Sequence, residues 1–509
     1  MHCIVLNLGL KSIRSIVFDP AGAKLASYSL PVNTYLKGFQ VEQDPNEWWD
    51  KAVEVIRKTL EDYETRKQVA YLTVTASSSC LVPVDREGSP LHRAIMVSDK
   101  RALEQAEAIA GLAEFARCHA ETGFPSDPYL LLPKILWLKE RAPEVFSRSH
   151  RFLSANAFLL HKLTRRYVTD TFDAEKYFYN SETGGHAGQL LARLGIASAS
   201  LPEVLPCGTE VGTIEASCAR ALGISDRTKV VLSSYDAICA FFGSGAFEDG
   251  EACDVSGTVT SFRVNTTRRA LDPQGRVFTQ SYVDKGIYII GGSNNLGGGL
   301  IEWTKQCFFD GEKHPYEVME KEASESPLGA KGLICLPYLM GERAPLWDVN
   351  ARGVLFGLER HHRRGDMAKA VFESTGFSLL SIQKIIEELG VSVRHIRVSG
   401  GLARIQHICQ LKADITGKEI YVLDEFESTA LGAFILAMVG QKVFASLADA
   451  SRLVSVREIV LPNAARHARY AKIYALFVSL YQRLKGSFAE RQALLNEIYE
   501  EKTERIENL

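Results

Sequence analysis

From Cys3 the chain alternates short apolar runs with turn residues. A run to Leu6 meets a turn at Leu8-Gly9-Leu10-Lys11, a second run spans Ser15 to Phe18, and a turn at Asp19-Pro20-Ala21-Gly22 precedes a third run from Leu25. Apolar runs punctuated by Gly and Asp-Pro turns predict a β-meander. Asp44-Pro45 then offers a capping carboxylate and a proline at the first helical position, and Trp48, Val53, Val55, Ile56 and Leu60 recur at helical spacing. A strand follows from Val69 to Thr75, so the predicted class is mixed α/β.

The stretch from Leu103 to Leu194 reads as largely helical, with Lys134-Ile135-Leu136-Trp137-Leu138 its most apolar amphipathic part. A second meander is predicted from Glu251 to Val264, turned at Asp272-Pro273-Gln274-Gly275 and resumed from Gln280 to Ile290. It echoes the first. At 509 residues the chain is too long for one core, and the boundary falls between Ala246 and Gly250, giving domains 1–248 and 249–509. Helices are expected from Phe372 to Leu389 and from Gly400 to Gly417. A C-terminal helix carries Tyr470, Tyr474, Phe477 and Tyr481 at spacings that suit a core-facing stripe.

With 46% apolar and 24% charged residues, the composition is that of a globular chain. A net charge of −2, without blocks of one sign, leaves no electrostatic footprint for nucleic acid. The N-terminus runs into a strand without a basic leader, and no apolar run reaches the length of a membrane span, so a cytoplasmic location is expected. The ten cysteines are scattered singly, without zinc spacing, and read as small buried residues.

Neither a G-x-x-x-x-G-K-[ST] loop nor a G-x-G-x-x-G fingerprint occurs at a strand-to-helix turn. Four glycine-bearing turns do follow apolar strands: Leu8-Gly9-Leu10, Val255-Ser256-Gly257-Thr258, Gly291-Gly292-Ser293 with Gly297-Gly298-Gly299, and Val398-Ser399-Gly400-Gly401. Backbone N–H groups in such turns can cradle phosphate oxygens. Each turn alone is equally explained by a backbone need for positive φ.

The segment Val41-Glu42-Gln43-Asp44-Pro45-Asn46-Glu47-Trp48-Trp49 resembles the early part of the FGGY carbohydrate kinases, which include glycerol, xylulose, ribulose and gluconate kinases. Lys134 to Leu138 resembles the core of the family's first signature, though Leu131 and Arg141 depart from it. Gly353, Leu355, Gly357 and Leu358, with Asp366-Met367 and Ala370 to Glu373, resemble the second. Gly341 to Trp347, and the run from Ser399 to Gly401 and on to Ala413-Asp414-Ile415-Thr416-Gly417, also match. The resemblance implies two ribonuclease-H-like domains of the actin and hexokinase type flanking an active-site cleft, with ATP and Mg²⁺ as cofactors.

Residue by residue, the resemblance implies that Asp236, which opens Tyr235-Asp236-Ala237-Ile238-Cys239-Ala240, is the general base, a substrate contact and a metal partner. The alternative is a helix-capping carboxylate. Ser78, Ser79 and Asp99 occupy the family's substrate segments, and Gly9, Lys11 and Ser12 form the first phosphate turn. Gly257 and Thr258 form the second, against the alternative of a plain hairpin turn. Gly298 and Glu302 fall where the family touches the nucleotide, and Gly400, Gly401 and Arg404 match its adenosine segment, with an ordinary surface charge as the other reading of Arg404.

One position departs. The family's first phosphate turn carries an aspartate that helps hold Mg²⁺ through water, and here it is Asn7. Losing that charge is worth about 1.5–3 kcal/mol, or about one to two decades in rate if felt in the transition state. Lys11 either compensates with positive charge or points into solvent. Val97 and Ser98 stand where the family usually has tryptophan and asparagine, and Cys80-Leu81 where xylulose kinases typically have histidine-glycine. The leading expectation is ATP-dependent phosphorylation of a pentulose, polyol or sugar acid. The alternatives are a catalytically impaired sugar- and nucleotide-binding relative with a regulatory role, and an actin-like polymerising ATPase. No membrane or nucleic-acid partner is expected; a homodimer is compatible with the sequence, but no segment marks its interface.

Overall fold

A computed structural model describes residues 1–38, 40–61, 63–257, 259–424 and 427–507. The chain forms two compact units. One comprises Met1–Phe247, Thr267–Ile289 and Glu427–Ser455; the other comprises Glu248–Thr266, Ile290–Phe426 and Val456–Leu509. The elements that position the site are, in chain order, β1 (His2–Leu8), β2 (Ser12–Phe18), β3 (Lys24–Pro31), α1 (Pro45–Thr59), β4 (Val69–Ala76), α2 (Leu131–Arg141), α3 (Ala155–Thr164), β5 (Glu210–Thr213), β6 (Lys229–Leu232) and α4 (Asp236–Phe242). There follow β7 (Glu251–Ser256), β8 (Thr260–Thr266), α5 (Gly298–Phe308), α6 (Arg364–Glu388), β9 (His395–Gly400), α7 (Gln406–Thr416), β10 (Glu419–Leu423), α8 (Ser428–Gly440), β11 (Val456–Val460) and α9 (Ala464–Glu507).

In the first unit the sheet order is β5-β6-β4-β1-β2-β3. β1 pairs antiparallel with β2 and parallel with β4, and β4 is parallel to β6. Being central, β1 is buried on both faces, which is why it reads as a continuous apolar run. The edge strand β3 carries Lys24, Ser27, Tyr28 and Ser29 outward. α1 starts where expected: the Asp44 side chain accepts from the Asn46 N–H, with Pro45 in the first position. Its Trp48, Val55 and Ile56 bury against Ile4, Leu6 and Val17.

The second unit repeats the plan. Five neighbouring strands of its larger sheet run β8-β7-β9-β10-β11, with β7 antiparallel to β8 and parallel to β9, and β9 parallel to β10. Phe372 and Phe377 of α6, Ile408 and Ile415 of α7, and Tyr470, Phe477 and Tyr481 of α9 share one core, so the C-terminal aromatic stripe is core.

One expectation changes. The helix predicted from Gly400 does not start there: β9 runs through Gly400, a short 3-10 turn covers Gly401–Arg404, and α7 begins at Gln406. Gly400 has φ +85°, and a Cβ there would lie 2.6 Å from the Ser256 carbonyl oxygen, so the glycine serves a close strand approach rather than a helix start. The span from Leu103 to Leu194 is largely helical, as expected. Within it, Arg151–Ser154 is a strand paired antiparallel with Leu81–Val84. Among the described residues no helix is long and apolar enough to cross a membrane.

Candidate active site

The first turn closes simply. The Gly9 N–H donates to the Ser12 carbonyl at 2.9 Å, and the Ser77 N–H donates to the Leu8 carbonyl at 2.9 Å. The end of β1 is thereby tied to the segment leaving β4. Asn7 is half-buried and lies opposite Arg14 in the β1–β2 register. The Arg14 guanidinium donates to the Glu427 carboxylate, and Lys24 reaches the same carboxylate at 3.6 Å. Lys11 is exposed.

Beyond β4 the chain turns sharply. Ser79 takes φ +58°, a left-handed conformation unusual for a residue with a side chain. It is held there from below: Lys134 of α2, fully buried, donates through Nζ to the Ser79 carbonyl at 2.7 Å and the Met96 carbonyl at 2.8 Å. Burial pushes this ammonium down to about 8. Ser78 Oγ and Ser79 Oγ lie 3.2 Å apart. Ser77 Oγ donates to Asp236 Oδ2 at 3.2 Å, which brings the serine segment and the predicted base together.

Asp236 is the first residue of α4, where the helix dipole favours a carboxylate. The N-cap is Tyr235, so Asp236 lies one residue inside the helix and the capping alternative does not describe it. The approach to α4 is pinned. Ser233 Oγ donates to the Val74 carbonyl at 2.5 Å, Ser234 Oγ to Asp170 Oδ1 at 2.7 Å, and the Tyr235 hydroxyl to Gln280 Oε1 at 2.9 Å. Behind it, α4 and α8 touch through backbone: a Cβ on Gly432 would sit 1.7 Å from the Cys239 carbonyl oxygen.

Asp99 is placed differently from the expectation that it accepts substrate hydroxyls. It is fully buried; Oδ1 accepts from the Arg101 N–H and Nε, each at 2.9 Å, and Oδ2 from the Val41 N–H at 2.6 Å and Arg101 Nη2 at 2.8 Å. Four donors fill the acceptor positions of a carboxylate. What Asp99 presents is Arg101, whose Nη2 also donates to Glu42 Oε1 at 2.7 Å and whose guanidinium lies 4.9 Å from the centre of the Trp137 ring.

In the second unit, Gly257 and Gly298 meet: the Gly298 N–H donates to the Gly257 carbonyl at 2.7 Å, and a Cβ on Gly298 would lie 2.8 Å from that oxygen. Thr258 lies outside the described residues. Ser256, opposite Gly400 in the β7–β9 register, sits over a buried ion pair. Lys412 Nζ donates to Asp254 Oδ2 at 2.5 Å and to Ser256 Oγ at 3.2 Å. Glu302 is partly exposed, and hydrogen bonds from Lys305 and Tyr316 hold its carboxyl below the usual range. Gly401 and Arg404 are exposed at the two ends of the 3-10 turn.

Sequence reading gave no role to Ser77, Arg14, Lys134 or the Asp254–Lys412 pair; only Lys134, inside a quoted signature, carried a signal. Among the described residues no group of three or more His, Cys, Asp or Glu side chains is arranged to hold a metal ion. One carboxylate and one carboxamide suit a Mg²⁺ that keeps most of its ligands as water and phosphate oxygens.

Comparison with known proteins covers nearly the whole chain. The model of the FGGY family of carbohydrate kinases, N-terminal domain, matches residues 2–243, and that of its C-terminal domain matches residues 254–440. The chain is 26% identical over 500 residues to a gluconokinase from Bacillus licheniformis, covering 96% of this chain and 97% of that one. It is 29% identical over 501 residues to a xylulose kinase from Staphylococcus epidermidis, covering 96% and 98%. The crystal structure of gluconate kinase from Lactobacillus acidophilus superposes with a TM-score of 0.89 at 28% identity, covering 96% of this chain and 99% of that one. The chain, with two domains of the actin and hexokinase type, belongs to the FGGY family of carbohydrate kinases and is a carbohydrate kinase.

Proposed function

We propose that this kinase transfers the γ-phosphoryl group of ATP to a hydroxyl of a small polyhydroxylated substrate, with Asp236 as the general base. The hydroxyl oxygen forms the new bond to phosphorus as the bond to the β–γ bridging oxygen breaks, and the hydroxyl proton passes to the Asp236 carboxylate. The observation that carries this reading is the 3.2 Å hydrogen bond from Ser77 to Asp236. It sets the base beside the strained Ser78-Ser79 turn, where side-chain hydroxyls and backbone groups are available to a polyol. Arg101, oriented by Asp99 and Glu42, is a further candidate donor to the substrate. Gly9 and Ser12 in one unit and Gly257, Gly298, Gly400 and Gly401 in the other are the candidate phosphate and nucleotide turns. Mg²⁺ bound with ATP supplies charge neutralisation on the phosphates, and Asn7 and Asp236 are the residues that would hold its water shell. The relatives' named substrates, gluconate and xylulose, make sugar acids and pentuloses the first compounds to test.

ADP release is measured with MgATP and a panel of pentuloses, pentitols, glycerol and sugar acids. Turnover on one member, lowered by about two to four decades in Asp236→Asn with nucleotide binding retained, supports the reading. Equal turnover in the variant sinks it. The second reading, a relative that binds but turns over poorly, is favoured by one observation, the uncharged Asn7. It predicts silence across the panel until Asn7→Asp restores activity.

A further inference from the structure

Away from these residues, the first unit carries a cavity of about 650 Å³ whose lining includes Arg151, Arg165, Arg166, Tyr167, His186 and Glu203. Local folding gathers the three guanidinium groups. α3 ends at Thr164, its C-cap Arg165 takes the left-handed conformation at φ +60°, Arg166 follows it, and Arg151 opens the neighbouring strand Arg151–Ser154. Their states differ. Arg166 is occupied, donating to Glu203 Oε2 and to the Val211 carbonyl, each at 2.8 Å. Arg151 lies 5.4 Å from the centre of the Tyr167 ring and spends one nitrogen on the His150 carbonyl at 2.9 Å, while its Nε is buried without a partner. The exposed Arg165 guanidinium makes no hydrogen bond or ion pair among the described residues. His186 Nδ1 is likewise buried without a partner.

The lining itself holds three guanidinium groups and one carboxylate, Glu203, which is matched to Arg166; Glu215, in electrostatic reach of Arg165, and Asp85 and Glu87, in reach of Tyr167, are not part of it. The field is felt nearby: burial first, then Arg165, pushes His161 down to about 4, and burial then Arg151 lowers His150. Solvated surface arginines need no ligand, but a buried donor without an acceptor is uncommon and marks a place for one. Guanidinium forks match phosphate oxygens in pairs, and the volume falls in the range of small-molecule sites, well above that of a lone anion.

We propose that this cavity binds the phosphate dianion of a small phosphorylated metabolite, held by Arg151 and Arg165, with Arg166 kept in place by Glu203. The site is separate from the residues assigned to phosphoryl transfer and does not rest on that assignment.

The test is titration calorimetry on the full chain with inorganic phosphate, ribose 5-phosphate and ribose. The variants are Arg165→Asn, which suits the left-handed backbone, and Arg151→Met, with Arg57→Asn as an arginine control. The expected result is that both phosphate-bearing probes bind and ribose does not. Each cavity substitution then weakens binding about tenfold or more and the control leaves it unchanged. Ribose 5-phosphate binding more tightly than inorganic phosphate would identify a sugar phosphate as the ligand; equal binding would identify the free ion, and either supports the site. Should Arg151→Met fail to fold, Arg165→Asn decides alone, because its side chain has no partner to lose. Absence of binding by both phosphate probes at millimolar concentration, or binding that survives the cavity substitutions, overturns the proposal.

Discussion

Replacing Lys134 with methionine keeps most of the buried stem and removes the ammonium that donates to the carbonyls of Ser79 and Met96. Two effects then oppose each other. Stranding two buried carbonyls costs about 1–3 kcal/mol each, or about 2–6 kcal/mol together. Against this, burial lowers the lysine from 10.5 to about 8, so holding its charge costs the folded state about 3 kcal/mol, which the methionine recovers. At pH 7 the net loss is therefore modest, roughly 0–3 kcal/mol. The pH dependence is the sharper test. Between pH 8 and pH 10.5 the unfolded chain binds the Lys134 proton and the folded protein has released it, so wild-type stability rises with pH across that window. The neutral amine still donates to both carbonyls, and the variant has no such contribution. Urea unfolding of both proteins at pH 7 and pH 10 should show the gap between them widening by about 2–3 kcal/mol in favour of wild type, other titrations cancelling in the difference. Parallel curves would refute the argument that a buried, charge-penalised lysine holds the Ser78-Ser79 turn.

Three further changes follow from the geometry. Asn7→Asp should raise kcat by about ten- to a hundredfold if the restored charge acts in the transition state, read from steady-state ADP release; an unchanged kcat removes the importance given to that position. Lys412→Met leaves Asp254 buried without its partner and should cost about 3–5 kcal/mol in chemical denaturation, most of it recovered when Asp254→Leu is added. Gly432→Ala drives a methyl into the Cys239 carbonyl and should cost about 3 kcal/mol or more in stability, seen as a lowered melting midpoint.

What the sequence made legible was local. The first meander, the Asp44-Pro45 helix start and the C-terminal aromatic stripe depend on neighbours a few residues away, and each stands where the pattern put it. Long-range partners were not legible. Asp99 looked like a free acceptor because nothing nearby announces that the Val41 N–H, 58 residues away, completes its set of donors. Lys412 and Asp254 are 158 residues apart, and neither flank hints at an ion pair. Ser399-Gly400-Gly401 reads as a helix start until the Ser256 carbonyl is known to pass within contact distance. The inclusion of Glu427–Ser455 in the first unit depends on Gly243 and Gly432 letting two helices touch, a packing fact written in two separated glycines. The candidate base was legible only through family resemblance, since an aspartate opening a short helix has a bland explanation until its partner at Ser77 is seen.

The repeated plan of the two units sharpens the meaning of Asn7. In each, a strand ends in a turn beside the end of a parallel neighbour: Leu8 accepts from Ser77 in one, and Ser256 faces Gly400 in the other. Backbone geometry is thus supplied twice, but charge is settled differently. Beneath the second turn a buried lysine and aspartate neutralise each other around Ser256. Beside the first, the residue opposite Asn7 is Arg14, and its charge is met by Glu427. A carboxylate at position 7 would draw Arg14 toward itself and compete with Glu427; the carboxamide does not. The substitution therefore removes a charge without orphaning its neighbour, because another acid of the same unit already answers Arg14. Under the proposed function the loss at Asn7 then falls on phosphate and Mg²⁺ chemistry and not on the integrity of the turn, so restoring the aspartate should register in kcat and leave stability almost unmoved.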